Sequence, residues 1–123
     1  MKRGLLAFVA LSFLTLHGCS SISEAGYYWG NYAVTLYAYQ KSPSPETLAQ
    51  HEKELRDIIE YSDTKQLKVP PGIYAELGYI EQNRGDSATA LRFYQEEMAT
   101  YPESQAFLER LSTGLSADPE EKD

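Results

Sequence analysis

Few side chains in this 123-residue chain could do chemistry, and they are scattered. Cys19 is the one cysteine, so no disulfide can close within the chain. With His17 and His51 as the only histidines, no zinc site of cysteine and histidine ligands can be assembled. Glu96-Glu97 and Glu120-Glu121 are sequence neighbours, and neighbouring side chains point apart on a helix. Glycoside cleavage needs two carboxyls about 5–9 Å apart across a cleft, and nothing in the pattern builds a cleft. Glu52-Lys53-Glu54 reads as a solvated helix face, and His51 as a structural residue on the buried edge of a helix. No catalytic residue, cofactor or metal is therefore expected. Nucleic acid is not an expected partner either, because a formal charge of −7 provides no basic face for phosphate.

Cys19 takes its meaning from what precedes it. Lys2 and Arg3 are a positive start, and Leu5 to Leu16 is apolar apart from Ser12 and Thr15. That run is too short for a bilayer, which takes about 20 residues, but it suits a secretory signal. Leu16-His17-Gly18-Cys19 resembles the lipobox of bacterial lipoproteins in Leu16, Gly18 and Cys19, and departs from it at His17, where a small residue is usual. The resemblance implies diacylglycerol on the Cys19 thiol, cleavage before Cys19 and acylation of the new amino group. The partner implied is the lipid bilayer, held through acylated Cys19. Each buried methylene contributes about 0.8 kcal/mol, so three acyl chains make a durable anchor. With Ser20 and Ser21, and no aspartate, after the cysteine, the resemblance favours the outer membrane, on its periplasmic side, over the inner one.

Removal of residues 1–18, which hold two basic residues and no acid, leaves 105 residues and takes the charge from −7 to −9. The lipid and not electrostatics must then do the anchoring. A domain of roughly this size buries a core, but not a large cavity as well. The expected organisation is a signal over 1–18, a lipidated tether over 19–26, a helical domain over 27–114 and a disordered acidic tail over 115–123.

Apolar residues recur at helical spacing throughout that domain. Tyr27 to Gln40 reads as a first helix, with Trp29, Tyr32, Leu36 and Tyr39 on one face. A second starts at the N-cap Ser44 with Pro45 and Glu46 in its first turn and runs to about Tyr61, burying Leu48, Leu55, Ile58 and Ile59. A third runs from Pro71 to about Arg84, turns at Gly85-Asp86, and returns as a fourth from Ser87 to about Thr100. A short fifth, from about Ser104 to Thr113, puts Phe107, Leu108 and Leu111 on one face and stops at Gly114. The fold class expected is all-α.

The 34 residues from Pro71 to Ser104 resemble one tetratricopeptide repeat: Tyr74, Leu77-Gly78, Gly85-Asp86, Ala90, Tyr94 and Pro102 fall at its marked positions. Glu81 and Glu97 depart from it, replacing a tyrosine and an alanine, which implies a more open or more polar stretch of groove. The first two helices read as a degenerate repeat, giving a short tetratricopeptide-like array of two antiparallel hairpins and a capping helix. The alternative is an orthogonal five-helix bundle. The lipobox, Gly26-Tyr27-Tyr28-Trp29-Gly30-Asn31-Tyr32 and the repeat together resemble a family of uncharacterised small lipoproteins, the domain of unknown function 4810 type. The resemblance implies a member of an envelope assembly, beside a lipoprotein like the curli-secretion channel CsgG, and supplies no catalytic residue.

Six of the ten tyrosine and one tryptophan residues fall between Tyr27 and Tyr39. One hairpin cannot bury all six, so some should be exposed, and exposed aromatics anchor interfaces. The expected function is a non-enzymatic protein-interaction module whose partner is another envelope protein or lipoprotein. Its contacts are expected at Tyr27, Tyr28, Trp29, Tyr32, Glu81 and Glu97. The alternative is a peptidoglycan or glycan binder that stacks the same aromatics on sugar rings.

Overall fold

A computed structural model describes residues 26–115. The expectations for the signal, Cys19, the tether up to residue 25 and the tail from residue 116 lie outside the described residues. Every regular element within them is helical: α1 (Tyr32–Lys41), α2 (Pro45–Thr64), α3 (Ile73–Arg84), α4 (Ser87–Thr100), a 3₁₀ turn (Pro102–Ser104) and α5 (Gln105–Thr113). The protein is all-α in this span.

The clearest starts are those with local caps. At α2 the Ser44 hydroxyl accepts from the Thr47 N–H at 3.2 Å, and the Ser44 N–H donates to the Thr47 hydroxyl at 3.0 Å, a closed capping box with threonine as its third member. At α4 the Asp86 carboxylate accepts from the Thr89 N–H at 3.0 Å. Gly85 ends α3 at φ +90, a conformation that costs glycine little. Only two residues then separate α3 from α4, so the pair lies antiparallel.

α2 buries His51, Leu55, Ile58 and Ser62, spaced four, three and four apart along one face. Leu55 and Ile58 form the larger core cluster with Val69, Ile73, Leu77 and Ile80. On the other side of α3, Ala90, Tyr94 and Leu108 form a second cluster that joins α4 to α5. Gly78 makes the close approach possible. A methyl placed there would meet the Tyr94 ring at 2.5 Å and the Ala90 carbonyl at 3.2 Å.

Three sequence expectations are corrected. α1 starts at Tyr32 and not Tyr27, because Gly30 turns the chain at φ +46 and the Tyr32 N–H bonds back to the Trp29 carbonyl at 3.0 Å. Trp29 therefore lies outside the helical stripe of Tyr32, Leu36 and Tyr39. α3 starts two residues after Pro71, at Ile73. Phe107 is 63 % exposed, and Leu108 alone of the expected α5 face is fully buried, with Leu111 packed partly against it.

Candidate binding site

Four polar side chains from three helices meet where α1, α2 and α3 come together. His51 of α2 is almost wholly buried. Its Nδ1 lies 2.8 Å from the Thr35 hydroxyl of α1, and its Nε2 lies 2.8 Å from Glu76 Oε1 of α3. The Tyr32 hydroxyl donates to the other Glu76 oxygen at 2.9 Å. The Thr35 hydroxyl has a single proton, and its backbone acceptors, the Asn31 and Tyr32 carbonyls, are farther away at 3.3 and 3.2 Å. An ionised carboxylate only accepts, so Nε2–H donates to Glu76, and Nδ1 and the Thr35 hydroxyl share the other hydrogen bond. Burial, the bond to Glu76 and that carboxylate's charge together push the Tyr32 hydroxyl up to about 12.

Two members of this cluster, His51 and Glu76, line a cavity of about 300 Å³. α1 contributes Leu36, Tyr39 and Gln40 to its lining, α2 contributes Leu48 beside His51, and α3 contributes Tyr79, Ile80 and Asn83 beside Glu76. Hydroxyl, imidazole and carboxylate in line have the order of a nucleophilic triad, but Thr35 sits inside a helix. Its own N–H is bonded to the Asn31 carbonyl at 3.0 Å, as N–H groups of a helix interior are. Donors for a developing oxyanion would have to come from elsewhere. Among the described residues no group of three or more histidine, cysteine, aspartate or glutamate side chains could hold a metal ion.

The aromatic residues expected at a partner surface divide into two sets. Tyr27 and Trp29 are 39 and 40 % exposed. Tyr28 is half-buried and stacks on Tyr61 with ring centroids 3.8 Å apart, and Tyr32 is half-buried and held by Glu76. Val34 and Tyr37, on the outer side of α1, are more open still, at 68 and 63 %. Trp29 rests edge-on against Tyr32 at 5.4 Å, and Lys41 lies over the Tyr37 ring.

Glu81 and Glu97, expected to make a stretch of groove more open or more polar and to contact a partner, stand elsewhere and are not open to a partner. Both are buried. Glu81 is held by Arg56 and Arg84, each at 3.0 Å, and the same two arginines hold Glu52 at 2.8 and 2.6 Å. This closed quartet fastens α2 to α3. Its bond to Arg84 comes first among the causes that hold the Glu52 carboxyl below its ordinary range. Glu97 accepts from the Gly72 N–H at 2.7 Å and the Ala75 N–H at 3.3 Å, so it caps α3 from the neighbouring helix.

A family model described as a domain of unknown function (DUF4810) matches residues 27–111. The chain belongs to that family. No curated protein and no solved structure matches it. The DUF4810 span begins at the first exposed aromatic and includes every described helix apart from the last two residues of α5. The cavity, the aromatic row, the quartet and the Glu97 cap thus all belong to the DUF4810 domain.

Sequence reasoning missed Thr35 and Glu76 as partners of His51, and the cavity that Glu76 and His51 line. Nothing in the local pattern marks them. Thr35 and His51 are 16 residues apart, and His51 and Glu76 are 25 apart. Only the stacking of three helices brings them into line.

Proposed function

We propose that this DUF4810 protein is a lipoprotein, anchored through Cys19 to the outer membrane and facing the periplasm. In this reading it acts as a non-enzymatic interaction module that holds another envelope protein or lipoprotein, such as a CsgG-like one. The helices form a tetratricopeptide-like array. The close fit of Gly78 against Tyr94 and Ala90 supports that arrangement, because small residues at those positions are what lets the two helices of such a unit approach.

One observation carries the reading: Tyr27, Trp29, Val34 and Tyr37 are all exposed within eleven residues of chain, next to the segment that leads back to Cys19. Two of them project from a helix with no buried residue, so they add nothing to the core. Rigid aromatic side chains at such a surface supply large contact area at low entropic cost. In this role Trp29 and Tyr37 are contacts, while Tyr28 and Tyr32 hold the surface in shape.

The test is affinity capture of the lipidated protein, tagged after Asp123, from cross-linked envelopes, alongside a Trp29→Ala, Tyr37→Ala variant with unchanged circular dichroism. One envelope protein in near-equal amount with the parent and lost with the variant is the expected result. An unchanged partner in the variant overturns the surface assignment. Recovery of peptidoglycan fragments alone replaces the reading with glycan binding. Substituting Cys19 with alanine should release the protein from the membrane fraction.

A further inference from the structure

We propose that the cavity between α1, α2 and α3 is a receptor for an alkylammonium group, with Glu76 as its anionic anchor. The buried and half-buried glutamates differ in their partners: Glu97 is met by two backbone N–H groups. Glu52 and Glu81 are each matched by two arginines. Glu76 is only 26 % exposed, yet its one ion-pair partner among the described residues is His51. No lysine or arginine among the described residues reaches Glu76. A partly desolvated carboxylate without a fixed cation favours a cationic ligand.

The rest of the lining suits the same ligand. Tyr39 and Tyr79 are aromatic walls, and ring faces attract a cation. Leu36, Leu48 and Ile80 offer apolar surface to an alkyl stem. The side chains of Gln40 and Asn83 make no hydrogen bond among the described residues, so their amide oxygens are available. An ammonium carries three donors, matching one carboxylate and two amide oxygens. Both Glu76 oxygens already accept one hydrogen bond, which favours a point donor over the planar fork of a guanidinium. A volume of about 300 Å³ accommodates a lysine side chain or a short free amine.

The test is an amide-resolved NMR titration of the whole chain with three probes: Nα-acetyl-lysine amide, n-butylamine in its protonated form, and Nα-acetyl-norleucine amide. Saturable shifts at Tyr39, Tyr79 and Ile80 with the charged probes and not with norleucine are expected. Tighter binding of the lysine amide points to a polypeptide as the natural source, and equal or tighter binding of butylammonium points to a free amine. Glu76→Gln should weaken the charged probes by roughly tenfold or more, the scale of a lost charge-assisted hydrogen bond. Tyr79 is 54 % exposed, so Tyr79→Ala leaves the fold in place and should weaken them as well. Absence of saturable shifts, an equal response to norleucine, or undiminished binding in both variants overturns the proposal. The small probes report on the cavity whatever becomes of the Trp29 and Tyr37 surface, so the two readings can fail separately.

Discussion

At the scale of single residues, the tightest constraint is Gly78. Its neighbour Tyr94 is fully buried and pinned at its far end, where the hydroxyl donates to Gln82 at 2.6 Å. The ring cannot swing away from an added methyl, and the Ala90 carbonyl blocks the other direction. Gly78→Ala should therefore destabilise the domain by about 1–3 kcal/mol, the usual range for overpacking, despite the better helix propensity of alanine. Urea denaturation followed by circular dichroism measures this, and a variant as stable as the parent would show that α3 and α4 separate at little cost. This constraint was legible in the sequence, because small residues at Gly78 and Ala90 facing a large Tyr94 form a spaced pattern. Glu81 and Glu97 were not legible. A glutamate is expected at the surface, and what holds these two inside is, for Glu81, Arg56 of α2 together with Arg84 of its own helix and, for Glu97, the start of α3.

At the scale of elements, the helix starts show where sequence reading succeeds. α2 and α4 begin at the expected residues, because Ser44 and Asp86 cap them within three residues. α1 and α3 begin later than expected, and neither N-cap, Asn31 or Gly72, makes a side-chain cap of its own. Their free N–H groups are met from a distance. Glu54 accepts from the Asn31 N–H at 2.6 Å across 23 residues, and Glu97 accepts from Gly72 and Ala75. A carboxylate at a helix start meets both the unpaired donors and the positive end of the dipole. Glu97→Ala should cost about 1–3 kcal/mol through the part-buried donors left unpaired. Glu97→Gln retains one good acceptor and should cost less. If the two variants unfold at the same urea concentration as the parent, the capping role fails. Loss confined to alanine would place the effect in hydrogen bonding rather than charge.

At the scale of the whole molecule, the helices are not equally committed. α3 lies between both core clusters, and the arginine–glutamate quartet ties it to α2. α1 buries no residue completely and is held largely by polar hooks: Asn31 to Glu54, Thr35 to His51 and Tyr32 to Glu76. Such bonds contribute about 0.5–1.5 kcal/mol each, or about 1.5–3 kcal/mol where a charge takes part, so α1 should open locally well before the domain unfolds. Amide hydrogen exchange should show α1 protected far less than α3 and α4. Glu54→Ala should speed exchange in α1 by roughly tenfold, on the same scale of one charge-assisted bond, and leave α3 and α4 nearly unchanged. Equal protection in all three helices would mean that α1 is an integral part of the cooperative unit. Because α1 carries Tyr37 on its outer side and lines the cavity with Leu36, Tyr39 and Gln40, its docking governs both candidate surfaces at once. An ammonium seated against Glu76 binds only the closed form, so it should slow exchange in α1 and spare α4. That pattern would separate binding in the cavity from general stabilisation of the fold.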